Sequence, residues 1–251
     1  MKALITENFH HLKKALAIVF LVLIADQILK VYIKTHFTIG EGYPIFGSWS
    51  YLLFIENEGM AFGWKFMGTH GKLFLSIFRI IAATGIGYYL LTIIRRKAKT
   101  GMIVAFSLIL AGAVGNIIDS AFYGLLFTES TMLTRAAFDP SNGYATFLHG
   151  KVVDMFYFPM VEGFWPDWKI IPAGLRGDHF LFFRPVFNLA DSSITVGVLI
   201  LLLFQKRFFH HPEEKVAEEE VPADTNPSEE PDHEPALQAS PDNDGIRVDH
   251  T

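Results

Sequence analysis

The 251 residues contain no cysteine, which removes disulfides, thiolate metal sites and a cysteine nucleophile together. There is no His-Glu-x-x-His run to hold zinc and no Gly-x-Ser-x-Gly elbow to present a serine. Basic residues clustered with aromatics, the footprint of a nucleic-acid surface, are missing too. No repeat of solenoid period runs through the chain, and no linker separates two folded domains. What the chain has is apolar length: 51% of its residues are hydrophobic and 24 are Phe. Its charge is uneven. Residues 213–251 hold 13 acidic and 2 basic side chains, a net of −11; the whole chain is −5, so residues 1–212 carry +6. A basic, apolar body with an acidic appendage fits a membrane protein with a soluble tail.

Four apolar stretches, about 15–33, 73–94, 102–118 and 187–204, approach the ~20 residues needed to cross a hydrocarbon core. The first resumes past Asp26 with no Ala-x-Ala site after it, so it reads as a retained helix and not a cleaved leader. The third is short and either sits in a locally thinned bilayer or extends through Asp119. Lys13-Lys14, Arg95-Arg96-Lys97 and Lys206-Arg207 fall on one side of an even number of spans, which the positive-inside rule makes the cytoplasm. Both termini then face inward, and segments 34–72 and 121–186 lie outside. In the first of these, Trp49 to Ile55 reads as strand. Trp165 and Trp168 in the second resemble interfacial anchors. The expected fold is a mainly α membrane protein of four transmembrane helices, with a small β-rich extracytoplasmic part and long extracytoplasmic loops. Residues 1–211 form that membrane domain, and 212–251 an acidic, disordered cytoplasmic tail without chemistry.

Polar groups at the membrane carry the functional question. Asp26 and Lys30 share a face of span one, either as part of a site or as a structural ion pair. Asn57 to Gly63, with Gly59 inside it, is either a turn that presents polar groups to a ligand or an ordinary loop. Gly112 and Gly115 allow close helix packing, and Asn116 bonds either a substrate or a neighbouring helix. Arg79, inside span two, snorkels by default. Asp154 and Asp191 each sit beside a strongly apolar run. Brought together, two carboxylates would share one proton, one activating water and the other protonating a leaving amine. The alternative for Asp191 is a helix cap. A Ser192–His149 arrangement stays open as a rival, without support from spacing.

Five blocks then stand in order: Asp26-x-x-x-Lys30; Asn57-x-Gly59-x-Ala61-Phe62; Gly112-x-x-Gly115-Asn116-x-x-Asp119; Val152-Val153-Asp154; and Phe187-Asn188-x-Ala190-Asp191-Ser192. Together they resemble the lipoprotein signal peptidase family, the type II signal peptidases of bacteria. The resemblance implies an aspartyl endopeptidase of the bacterial inner membrane. It would cut signal peptides from prolipoproteins on the N-terminal side of a diacylglyceryl cysteine. Asp154 and Asp191 would be the catalytic pair; Asn57, Asn116 and Asn188 would bind substrate; Asp26, Lys30, Gly59 and Asp119 would support the site. It implies no metal and no cofactor, partners limited to the prolipoprotein and membrane lipid, and a monomer with its site on the outer side. The competing classes are a small ion-coupled transporter working through Asp26, Lys30 and Asp191, and a non-catalytic membrane adaptor. The chain departs from the family pattern in four places. Ser120 stands where the family has Arg, a cation that Arg79 or Arg135 would have to supply. Segments 122–151 and 159–185 are long and are expected to cover the groove as lids. The acidic tail is extra.

Overall fold

The computed structural model describes residues 2–47, 49–58, 68–159, 161–164, 166–170, 172, 174, 176–183 and 185–209. Gly59, Ala61, Phe62, Trp165 and the tail expected at 212–251 lie outside the described residues.

The first helix, α1 (Lys2–His36), runs uninterrupted because no Gly or Pro falls inside it. Its faces divide as a membrane helix requires. Phe20, Leu21, Ile24 and Ile28 are exposed, whereas Asp26, Lys30, Ile33 and Lys34 are buried. Helix α2 (Gly68–Arg95) reverses at a basic turn, in which Lys97 has φ +54°, into α3 (Thr100–Ile118). The last carbonyls of α3 pass into a π-helical turn, Asp119–Tyr123, and a short α4 (Gly124–Leu126). Among the described residues, three segments are long and apolar enough to cross a membrane: Asn8–His36, Gly71–Arg95 and Thr100–Leu126. The third therefore does extend past Asp119.

The fourth expected span is shorter than its apolar run. Phe187 belongs to a strand and Asn188 caps the helix, so α5 occupies only Leu189–Leu203, 15 residues. At 1.5 Å per residue that is about 22 Å. A separate helix, α6 (Gln205–Phe209), follows it.

Outside the helices, β1 (Gly42–Phe46), β2 (Ser50–Asn57), β3 (Val152–Tyr157) and β6 (Val186–Phe187) form one antiparallel sheet in the order β1-β2-β3-β6. The strand expected near Trp49–Ile55 is β2, shifted to end on Asn57. The turn that closes the β1–β2 hairpin passes through Gly47 at φ +56°, a conformation that suits a residue without a side chain. Segment 159–185 contributes a separate hairpin, β4 (Val161–Phe164) with β5 (His179–Phe183).

Segment 122–151, expected to be a lid, contributes part of its length to the core. Tyr123, Phe127 and Ala136 pack in one buried cluster with Ile33 and Phe37 of the α1 end, Phe54 of β2, and Val153 and Met155 of β3. Ser76 of α2 donates to the carbonyl of Leu148 at 3.0 Å, and Gly150 N donates to the Ser120 carbonyl at 2.8 Å. Part of the segment thus lies in the core, whereas Phe122, Met132, Leu133, Phe138 and Phe147 are exposed.

Helices α3 and α5 pack closely, and small residues allow it. A Cβ on Gly112 would collide with the Ala190 carbonyl, and one on Gly197 would lie 2.7 Å from the Ala105 carbonyl. Gly112→Val is expected to destabilise the protein by about 1–3 kcal/mol through overpacking. A lowered thermal midpoint in detergent, next to an unchanged midpoint for a lipid-facing control such as Ile81→Val, checks it.

Candidate active site

At the centre lies a group of charges with no exposure to solvent. Lys30 Nζ is 2.9 Å from Asp26 Oδ2 and 2.8 Å from Asp119 Oδ2, and all three side chains are fully buried. One cation between two carboxylates leaves a buried charge of −1, tolerable only if the remaining oxygens find donors. They do. Asp26 Oδ1 accepts from the backbone N–H of Ala190 at 2.9 Å. Asp119 Oδ2 accepts from Val153 N at 3.2 Å, and Asp119 Oδ1 from Gln27 Nε2 at 3.0 Å. The consequence is positional. Ala190 precedes Asp191 and Val153 precedes Asp154, so one ion triad holds the backbone beside each carboxylate from below.

Asparagines hold the side chains from above. Asn116 accepts from Lys30 at 2.9 Å with its oxygen and donates to Asp191 Oδ1 at 2.8 Å with its nitrogen. Asn188, fully buried, donates to Asp154 Oδ1 at 2.8 Å and to Asn116 Oδ1 at 3.1 Å. Its own oxygen accepts from Asp191 N at 2.9 Å, and Asp191 Oδ2 accepts from Asn188 N at 3.4 Å. This reciprocal pair is a capping box, so Asp191 does serve the helix start, with Asn188 as the cap itself. Asn57 donates to Asp154 Oδ2 at 3.3 Å from its place as the last residue of β2, not from a turn. Asn116 and Asn188, expected to bond substrate, are engaged by protein partners here.

Asp154 is 4% exposed and feels the charge of Asp191. Burial first, then that charge, push its carboxyl up to about 7, against the pull of the Asn57 bond, the Lys30 charge and the Asn188 bond.

The position without the family arginine is closed. Ser120 is buried in the π turn, donates to the Asn116 carbonyl at 3.0 Å, and lies under Gly150. Arg135 is no substitute, because its guanidinium is exposed beside Glu41 at 3.9 Å. Arg79 does not sit on the lipid face expected for a snorkelling residue. Ser76, Ala83 and Leu90, at i−3, i+4 and i+11, are all buried, while Phe74, Phe78 and Ile81 point out. Arg79 therefore shares the inward stripe, within electrostatic reach of Asp191, Asp154 and Asp119, the first most strongly. The serine–histidine rival is not assembled: Ser192 Oγ donates to the Asn188 carbonyl, and His149 Nδ1 is engaged by Thr146 and Phe147 in its own turn.

Two polar residues near the site were not read from the sequence. Gln27 bridges Asp119 and the Tyr123 hydroxyl. Lys34 extends the i, i+4 series of Asp26 and Lys30 by one more turn and is equally buried; that spacing was the available signal.

Removing the one cation of the triad strands two buried carboxylates. Lys30→Met is expected to cost about 3–5 kcal/mol, read as a loss of the folded, monodisperse fraction in detergent. Unaltered thermal stability would remove the triad from its structural role.

The comparisons agree with this architecture. The model of the family described as "Signal peptidase (SPase) II" matches residues 18–207. The lipoprotein signal peptidase of Porphyromonas gingivalis is 43% identical over 196 residues, 78% of this chain and 84% of that protein. That of Amoebophilus asiaticus is 32% identical over 211 residues, 83% of this chain and 84% of that one. A solved bacterial membrane enzyme superposes with a TM-score of 0.50 at 25% identity, covering 81% of this chain and 94% of its own. On the extent of these matches, the chain belongs to the signal peptidase II family, the lipoprotein signal peptidases.

Proposed function

We propose that the protein removes signal peptides from prolipoproteins as an aspartic endopeptidase, cutting N-terminal to a diacylglyceryl cysteine, with Asp154 and Asp191 as its catalytic pair. The observation that carries this reading is that the amide of Asn188 touches both carboxylate segments in a buried, hydrogen-bonded setting. Carboxylates so placed hold one proton between them. We assign the shared proton to Asp154, whose burial and proximity to Asp191 raise its affinity for a proton. Asp191 takes a proton from water, whose oxygen bonds to the scissile carbonyl carbon, and Asp154 gives its proton to the carbonyl oxygen. The resulting diol loses a proton to a carboxylate as the C–N bond breaks, and the leaving amine takes up the other proton. Arg79 balances the charge of the pair from α2. This chemistry is complete without a metal or cofactor.

The reading places the chain as a monomer in the inner membrane of a bacterium. Helix α5, continued by α6, acts as the fourth span, the termini are cytoplasmic, and the site faces outward. Gly59 supports the site by analogy with the family motif, and the tail from 212 on takes no part. The transporter alternative needs titrating groups with access to solvent along a path. Asp26 and Lys30 are instead fully buried and saturated by partners, which favours the peptidase.

Incubating the purified protein with a diacylglyceryl prolipoprotein tests the reading. Asp154→Asn and Asp191→Asn are each expected to lower cleavage by about 10³-fold or more while leaving the fold intact. Cleavage that survives both substitutions would exclude the pair.

The pH profile gives a second check. Activity should fall as pH rises through about 7, where the pair loses the proton held on Asp154. Arg79→Gln removes a cation that favours the ionised form, so this alkaline limb should move to higher pH; an unmoved limb would take Arg79 out of the site.

A further inference from the structure

Beyond the active site, a second buried charge cluster lies behind β2, and most of it comes from segment 122–151. Lys34, fully buried on the last turn of α1, forms an ion pair with Glu56 of β2, whose side chain is 2% exposed. Ser130 bonds both: it accepts from Lys34 Nζ at 3.0 Å and donates to Glu56 Oε1 at 3.0 Å. Lys151 Nζ lies 3.4 Å from Glu56 Oε2 and 3.4 Å from Glu129 Oε1. The Tyr144 ring sits 4.8 Å from Lys34 Nζ and 5.3 Å from Lys151 Nζ, and its hydroxyl accepts from Lys151 N at 2.7 Å. The Phe127 ring closes the remaining side of Lys34. Burying such charges yields little net stability compared with an apolar filling of the same volume. What the arrangement supplies is a fixed position.

The position it fixes is that of Asn57. In the β2–β3 ladder Glu56 faces Val153 and Asn57 faces Val152, while Ile55 faces Asp154. Alternation places Glu56 on the side of the cluster and Asn57 on the opposite side, diagonal to Asp154. The strand ends at Asn57, so Glu56 is its last anchored side chain before the bond from Asn57 to Asp154. At 3.3 Å that bond is already near the limit of a hydrogen bond. A small displacement of the strand end breaks it.

We infer that the cluster of Lys34, Glu56, Ser130, Tyr144 and Lys151 is a positioning device that sets Asn57, and through it Asp154, for the reaction. Segment 122–151 thus acts on the site from behind. The inference rests on the proposed role of Asp154. Glu56 and Ser130 are positioning residues: neither touches the reacting atoms.

A double-mutant cycle on the full-length protein in detergent or nanodiscs, with a diacylglyceryl prolipoprotein as substrate, tests it. Glu56→Gln is expected to lower kcat by about 10-fold or more with KM nearly unchanged, since small misplacements act on the chemical step. Ser130→Ala, the milder variant, should change kcat in the same direction. In an Asn57→Ala background, neither substitution should lower kcat further. Losses that simply multiply with that of Asn57→Ala, or a change confined to KM or to the folded fraction, overturn the inference. If Glu56→Gln does not fold, the Ser130→Ala arm of the cycle decides. Asp154→Asn runs alongside: its retaining activity would instead overturn the aspartyl reading itself.

Discussion

A single cation between two carboxylates, all three out of reach of water, is the constraint from which the site follows. Lys30 cannot be buried alone, and neither can Asp26 nor Asp119. Having paired, the carboxylates still need donors, and besides the Gln27 amide these are the backbone N–H groups of Ala190 and Val153. Satisfying the ions therefore brings the start of α5 and the start of β3 to the same place. Asp191 and Asp154 are the next residues along. Two segments distant in sequence are aligned by the hydrogen-bond demands of a third and a fourth.

Above that base, amides do what charges would do badly. Asn116 and Asn188 each use both ends of the side chain, so each fixes the other and a carboxylate at once. The net charge stays low enough to bury. Arg79, on the inward stripe of α2, is within electrostatic reach of Asp191 and Asp154. The π turn and the close approach of Gly150 leave the position of Ser120 no outlet.

Much of this could be read from the residues. Apolar runs marked the helices. The i, i+4 spacing of Asp26 and Lys30 marked one shared face, and Asp119, Asn116 and Asn188 stood at the ends of apolar runs where polar groups cost most. What was not legible depended on geometry that spacing does not carry. Phe187 continues an apolar run but pairs with Phe156 in the sheet, so the last helix begins later than its hydropathy suggests. Asn57 reads as a turn because glycines follow it, yet the ladder with β3 carries it into the strand. Segment 122–151 was expected as a lid because it is a long insertion on the outer side; Phe127 and Ala136 reach the core only when folded against Phe54 and Met155. Lys34 went unread because a lysine near a span end is usually assigned to the interface.

The central claim is that Asp154 and Asp191 behave as one proton-sharing unit. Infrared difference spectroscopy of the carboxyl stretch addresses it directly, comparing the wild-type protein with Asp154→Asn and with Asp191→Asn just below neutral pH. The account predicts one protonated-carboxyl band that either substitution removes or shifts. A band that disappears with one substitution and is untouched by the other would show two independent carboxyls and contradict it.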